Sequence, residues 1–250
     1  MADLRSIWHS GGTAVGAWIS LRDPFIAEAA ARTGFDYVCI DLQHGLCSYA
    51  DMEAMGQAIE LGGSAMLARI PWHDHWMIGR VLDAGAAGVI VPMVNTAEEA
   101  ERVALACRYA PAGNRSIGPT AVGFRVANYS ASANDRVLCI VMIETAQAVA
   151  NIDEILSVPG IDGVYIGPAD LSLSLGLPPA SDHADARFVG ALETVVEACT
   201  RHGVVPGIHT TSELAATRRA QGFRMFSTGY DIGPLQAGLA SGLAAGRAAG

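Results

Sequence analysis

The chain has 250 residues, 51 % of them hydrophobic and only 16 % charged, with a formal net charge of −9. That composition excludes a disordered polypeptide and supplies apolar side chains for a single domain over residues 1–250 with a substantial core. The acidic balance argues against nucleic acid or an anionic membrane as partner. No apolar run reaches the roughly 18 residues of a membrane span, and the opening "MADLRSIWHSGG" lacks an apolar export core. The five cysteines (Cys39, Cys47, Cys107, Cys139 and Cys199) show no C-x-x-C spacing. These features lead to the expectation of a cytoplasmic protein with reduced thiols.

Along the chain, short β-rich runs at 13–19, 36–41, 65–70, 88–92, 137–143, 163–166, 204–208 and 224–228 alternate with Ala-rich helical patterns. The helices are expected at 24–33, 48–61, 75–84, 96–107, 145–156, 186–202, 212–221 and 233–248. Gly34, Gly85, Gly203 and Gly222 each close a helical pattern before a strand, as helix C-terminal glycines do. Thr96 opens "TAEEAE", an N-cap followed by first-turn acids. Eight strand–helix units in this length predict a (β/α)8 barrel. A doubly wound open sheet is the alternative, but neither G-x-G-x-x-G after the first strand nor G-x-x-x-x-G-K-[ST] occurs. Segment 108–136 is long for a connection and is expected to be a functional or a disordered loop.

In a barrel, the chemistry sits where strands end. The second strand runs into Asp41, Gln43 and His44, the third into Arg69, the fifth into Glu144, the sixth into "GPAD" with Asp170, and the seventh into His209. Glu144 and Asp170 at adjacent strand mouths would repel unless a proton or a cation lies between them, and a hard divalent ion suits them. The competing reading makes each acid a simple cap of the next helix or turn. His44, three residues past Asp41, is expected to have its imidazole oriented by that carboxylate and to move protons near neutrality. Arg69 needs an anion, either a structural acid or a substrate oxygen. His9, His73, His75, His183 and His202 lack such company and read as solvated.

These residues resemble the HpcH/HpaI aldolase family, the metal-dependent class II pyruvate aldolases. The resemblance runs from "GAWIS" to "STGYD" and is carried by "IDLQHG", "ARIP", "VLDAGAAGVIVPMVNTAEEAE", "RYAPAGNRSIG", "IET" and "GIDGVYIGPADLSLSLG". It implies a divalent metal (Mg²⁺, Mn²⁺ or Co²⁺) held by Glu144 and Asp170. Pyruvate or hydroxypyruvate would be chelated there, its carboxylate near Gly167, Pro168 and Ala169, with an aldehyde as second substrate. It also implies Arg69 at the enolate oxygen, His44 with Asp41 in the acid/base step, and Trp18 in the pocket; Gln43, next to the base, and His209, at a strand end facing the pocket, are expected at the substrate on their position in this chain. Asp83 matches an acid that reaches the histidine from a neighbouring subunit. The implied assembly is a hexamer, a trimer of dimers that exchange a C-terminal helix.

The chain contains no lysine, which excludes a Schiff-base aldolase. It departs from the family at Gln43, where glutamate is usual, at Met142, where glutamine is usual, and at Ser116 and Pro119. Oxaloacetate decarboxylation would use the same residues, and a non-catalytic binding barrel is the reading from outside enzymology.

Overall fold

In the computed structural model, which describes residues 3–248, eight parallel strands close into a barrel in sequence order. They are β1 Ala14–Ile19, β2 Tyr37–Asp41, β3 Ala65–Arg69, β4 Gly88–Val91, β5 Leu138–Ile143, β6 Gly163–Ile166, β7 Val205–His209 and β8 Met225–Tyr230. Each lies within a residue or two of the run that predicted it. The helices expected after β1 to β4 are α2 Pro24–Arg32, α3 Tyr49–Gly62, α4 His75–Asp83 and α5 Ala97–Cys107, and α11 Ala186–His202 precedes β7. Thr96 caps α5 in a reciprocal box with Glu99, accepting the Glu99 N–H at 3.2 Å. The four expected helix-end glycines all have φ between 67° and 108°, a region that side chains with a Cβ avoid.

Four helices escape the periodicity. A short α1, Leu4–His9, precedes the barrel, and segment 108–136 contains α6 Thr120–Arg125 and α7 Tyr129–Arg136. The pattern at 145–156 breaks at Asn151 into α8 Ala146–Ala150 and α9 Ile152–Leu156, and α10 Pro168–Ser174 opens directly after β6. None of the four exceeds eight residues, too short a run for a period of 3.6 to become legible. The chain ends with α12 Ala215–Ala220 and α13 Ile232–Ala248. No residue of α13 is buried within one chain, and Ile232, Leu235, Leu239 and Leu243 are exposed.

Strand alternation divides the core in two. Val38, Ile40, Ala68, Val89, Val141 and Ile208 pack outward against the helices, whereas Trp18, Tyr37, Cys39, Leu67, Ile140, Met142 and Tyr165 fill the barrel. Gly16 and Gly207 leave room there, because a Cβ on either would collide with the rings of Tyr37 and Tyr165. Both phenols meet Ser227 Oγ, at 3.1 Å and 2.8 Å. The inward series continues past the apolar layers: 37 and 39 lead to Asp41, 67 to Arg69, 140 and 142 to Glu144. The same alternation that fills the core therefore carries polar side chains to its C-terminal mouth.

Candidate active site

At that mouth a cavity of about 320 Å³ is lined by Trp18, Asp41, His44, Arg69, Met142, Glu144, Gly167 to Asp170 and His209. Ser20, Ala180, Ser181 and Tyr230 complete the lining. Sequence reasoning gave these four no role. Tyr230 ends β8 and was legible as a strand-end residue, but Ala180 and Ser181 belong to an irregular segment with no pattern to find.

Asp41 and Arg69 are register partners on β2 and β3. The carboxylate accepts Arg69 Nε at 3.0 Å on Oδ1 and Nη2 at 2.6 Å on Oδ2. Asp41 Oδ1 also accepts the main-chain N–H groups of Gln43, at 3.0 Å, and His44, at 3.3 Å. Burial alone would raise the Asp41 pKa, but Arg69 and the Gln43 N–H outweigh it and hold the carboxyl below its ordinary range. The expectation that Asp41 orients the His44 imidazole is therefore corrected: it holds the His44 backbone, while its lone pairs are committed to the guanidinium. The His44 side chain is exposed at the cavity rim.

Arg69 lies beneath Trp18, with its guanidinium carbon 5.0 Å from the ring centroid. Trp18 stacks on Tyr165 at 5.5 Å and meets His209 edge-on at 4.9 Å, and His209 in turn meets Tyr230 at 5.2 Å. In this aromatic box, burial and the Arg69 charge push His209 down to about 4, so the imidazole is neutral at ordinary pH.

Glu144 is 2 % exposed, yet neither it nor Asp170 enters an ion pair among the described residues. Its Oε1 accepts the Met93 N–H at 2.8 Å, and Met93 adopts φ 56°, a left-handed conformation unusual for a residue with a side chain. Asn95 secures that turn: its Nδ2 donates to Met93 O at 2.8 Å, its Oδ1 accepts from Thr145 Oγ1, and its own carbonyl accepts from Asn151 Nδ2 at 2.8 Å. On the other side, a Cβ on Gly167 would fall on Glu144 Oε2. Burial, with Asp170 adding to it, raises the Glu144 pKa to about 7 against the opposing Met93 N–H and Arg69. Asp170 sits exposed in the first turn of α10, behind the Gly167–Pro168 turn.

Two expected site residues lie elsewhere. Gln43 is half-buried beside the cavity without lining it. Asp83 ends α4, which runs antiparallel to the strands, and so lies toward the opposite end of the barrel. There it pairs with Arg115 Nη2 at 2.6 Å. It is not in the pocket of its own chain.

A closed parallel (β/α)8 barrel with acids, a guanidinium and an imidazole gathered at the strand C-termini has the layout of a barrel enzyme. More particularly, this chain belongs to the HpcH/HpaI aldolase/citrate lyase family, whose model matches residues 14–236. It is 42 % identical over 250 residues to a hydroxypyruvate/pyruvate aldolase of Rhizorhabdus wittichii, covering 99 % of this chain and 100 % of that one. It is also 42 % identical over 183 residues to a 2-keto-3-deoxy-L-rhamnonate aldolase of Klebsiella pneumoniae, covering 72 % of this chain and 68 % of the relative. Among solved structures, an HpcH/HpaI aldolase from Desulfitobacterium hafniense superimposes with a TM-score of 0.89 at 30 % identity, covering 98 % and 96 % of the two chains.

Proposed function

We propose that this protein is a class II, divalent-metal-dependent aldolase that forms or cleaves the bond between a pyruvate-type 2-oxo acid and an aldehyde. The observation that carries the reading is the unpaired acid couple, buried Glu144 and neighbouring Asp170, beside an immobilised Arg69 in a chain without lysine. The donor set fits a hard cation: both ligands are carboxylates, and Glu144 is held between the Met93 N–H and the bare Gly167 Cα. Glu144 and Asp170 would hold the ion, and among the described residues no group of three or more His, Cys, Asp and Glu side chains offers another metal site. When bound, Mg²⁺, Mn²⁺ or Co²⁺ supplies a Lewis acid for the keto and carboxylate oxygens of pyruvate or hydroxypyruvate.

The chain's own groups do the rest. Arg69, held in place by Asp41, presents a fixed positive charge where negative charge develops on the 2-oxo acid's keto oxygen. The exposed His44 imidazole takes the proton from the nucleophile's carbon or returns one to the aldehyde-derived oxygen. Gly167, Pro168 and Ala169 line the substrate carboxylate, and Trp18, His209 and Tyr230 form an aromatic wall. Asp83 approaches His44 from a neighbouring copy. The copies assemble as a hexamer, a trimer of dimers, in which the exposed leucine stripe of α13 is covered by exchange between partners.

The test is methyl-proton exchange of pyruvate in D₂O, followed by NMR with metal-loaded and chelator-treated protein. Metal-dependent exchange that collapses in His44→Ala and Arg69→Ala is expected. Absence of exchange in loaded protein that demonstrably binds pyruvate would refute the mechanism.

A further inference from the structure

Arg218 is the largest of the fully buried side chains, with 0 % exposure, and it lies on the short α12, outside the set of residues that line the cavity. Burying a guanidinium is expensive unless its donors are used. One Nη2 bonds Ser181 O at 2.9 Å and Asp182 Oδ1 at 2.8 Å, and Nη1 bonds Gln221 Oε1 at 2.9 Å. Nε has no partner among the described residues. Of those three bonds, only the one to Gln221 stays near α12. The other two reach a single target, the irregular segment between α10 and α11.

That segment, residues 177–184, carries Ala180 and Ser181 into the cavity wall. Its remaining ties are local: Leu177 N–H to Ser172 O at 2.8 Å, and His183 Nε2 against Pro178 O at 2.8 Å. Arg187 Nη1 fixes the base of the turn at Leu175 O, at 2.9 Å. Most of the segment is exposed, and its apolar anchors lie at its two ends, Leu177 against the core and the His183 ring edge-on to buried Phe188 at 5.3 Å. The Arg218 contacts are what join its tip to the barrel's helical layer.

Burial separates two depths in the cavity. Glu144, at 2 %, and Trp18 and Met142, at 3 % and 1 %, form the inner end. Ser181 is exposed with His44 at the rim. A 2-oxo acid that reaches Glu144 occupies the inner end, and its carbon partner then enters from the rim.

We infer that Arg218 is a positioning residue for the aldehyde, holding the 177–184 strap so that Ala180 and Ser181 form the acceptor side of the pocket without touching the 2-oxo acid. This inference rests on the proposed aldolase reading and adds a division of labour to it. A wall displaced by an ångström or so weakens acceptor positioning while leaving the first half-reaction intact.

The experiment uses metal-loaded full-length protein and the variants Arg218→Met, Arg218→Lys and Asp182→Ala. It reads metal-dependent methyl exchange of pyruvate, the KM for pyruvate, and the KM for an aldehyde such as glycolaldehyde. In Arg218→Met the aldehyde KM is expected to rise about tenfold, with exchange and pyruvate KM within about twofold of the parent. Arg218→Lys is expected to recover part of the loss, because an ammonium still reaches the Ser181 carbonyl. Asp182 is exposed, so Asp182→Ala carries the test should Arg218→Met not fold, with an expected rise of about threefold. An unmoved aldehyde KM in the folded variants, or a parallel fall in exchange and in both affinities, overturns the inference. Parent protein that exchanges no pyruvate protons overturns the proposed function itself, and that result is separable because it is read before any variant.

Discussion

The two ends of the barrel differ in what they leave their carboxylates to bind. At the N-terminal end, Asp162 precedes β6 and is saturated. Its Oδ1 pairs with Arg5 Nη1 at 2.7 Å, and its Oδ2 takes Arg108 Nη2 at 2.9 Å and the Cys139 N–H at 2.8 Å. This ties α1 and the end of α5 to the strands beside it. At the C-terminal mouth, Asp41 is equally saturated by Arg69 and two amides, yet Glu144 has one amide and, among the described residues, no ion-pair partner. A buried carboxylate without a counter-charge is costly to keep, and burial accordingly drives its pKa up to about 7. Saturated acids fasten elements together. The unsaturated one leaves lone pairs for something that arrives from outside.

That contrast can be broken from either end. Glu144→Gln keeps the shape and the Met93 contact but removes the charge. It is expected to cost about a thousandfold in turnover and to abolish the stoichiometric step in a Mn²⁺ titration, with no fall in Tm. Arg69→Ala should lower kcat about a hundredfold. It also strands Asp41, so thermal unfolding is expected to register a loss of about 3 kcal/mol. Asp162→Asn tests the other end. Taking the ion-pair partner from both Arg5 and Arg108 there should cost a similar or slightly smaller stability, about 2–3 kcal/mol, with kcat unchanged. A catalytic defect in that variant would erase the distinction between the ends.

The smallest effect concerns His209. The unfolded chain's imidazole takes its proton near the ordinary value of 6.5, whereas the folded group resists until about pH 4. The unfolded state therefore binds more protons in that window, so this contribution to stability is complete above pH 6.5 and is lost as pH falls toward 4. His209→Phe should flatten the decline by about 1–2 kcal/mol, discounted for the partial exposure of the ring. Parallel Tm series from pH 4.5 to 7.5 would measure it.

Much of the site was legible because strand periodicity is local. Glu144 follows "LCIVMI" and Asp41 follows "YVCI", so their places at strand ends were readable before any contact was known, while the face each takes was not, because both runs are apolar throughout. Asp41's partner was not. Proximity in sequence favoured His44, but the β2–β3 register sets Arg69 directly across, and a bidentate guanidinium outcompetes a single imidazole nitrogen for the same lone pairs. The α10 helix was hidden for a different reason: Pro168 and seven residues give too short a pattern to count. Ala180, Ser181 and Arg218 were invisible altogether, since their association spans 37 residues between Ser181 and Arg218 and follows no repeat.

The sequence by itself determined the eight-fold alternation, the barrel, and which strand ends would carry acids, because these follow from periods of 2 and 3.6 that each residue shares with its near neighbours. Only the tertiary structure decided which acid is neutralised and which stays open, where Asp83 lies, and what holds the 177–184 strap. Charge pairing is settled by the nearest donor in space, and closing a barrel makes neighbours of residues that chain order keeps far apart.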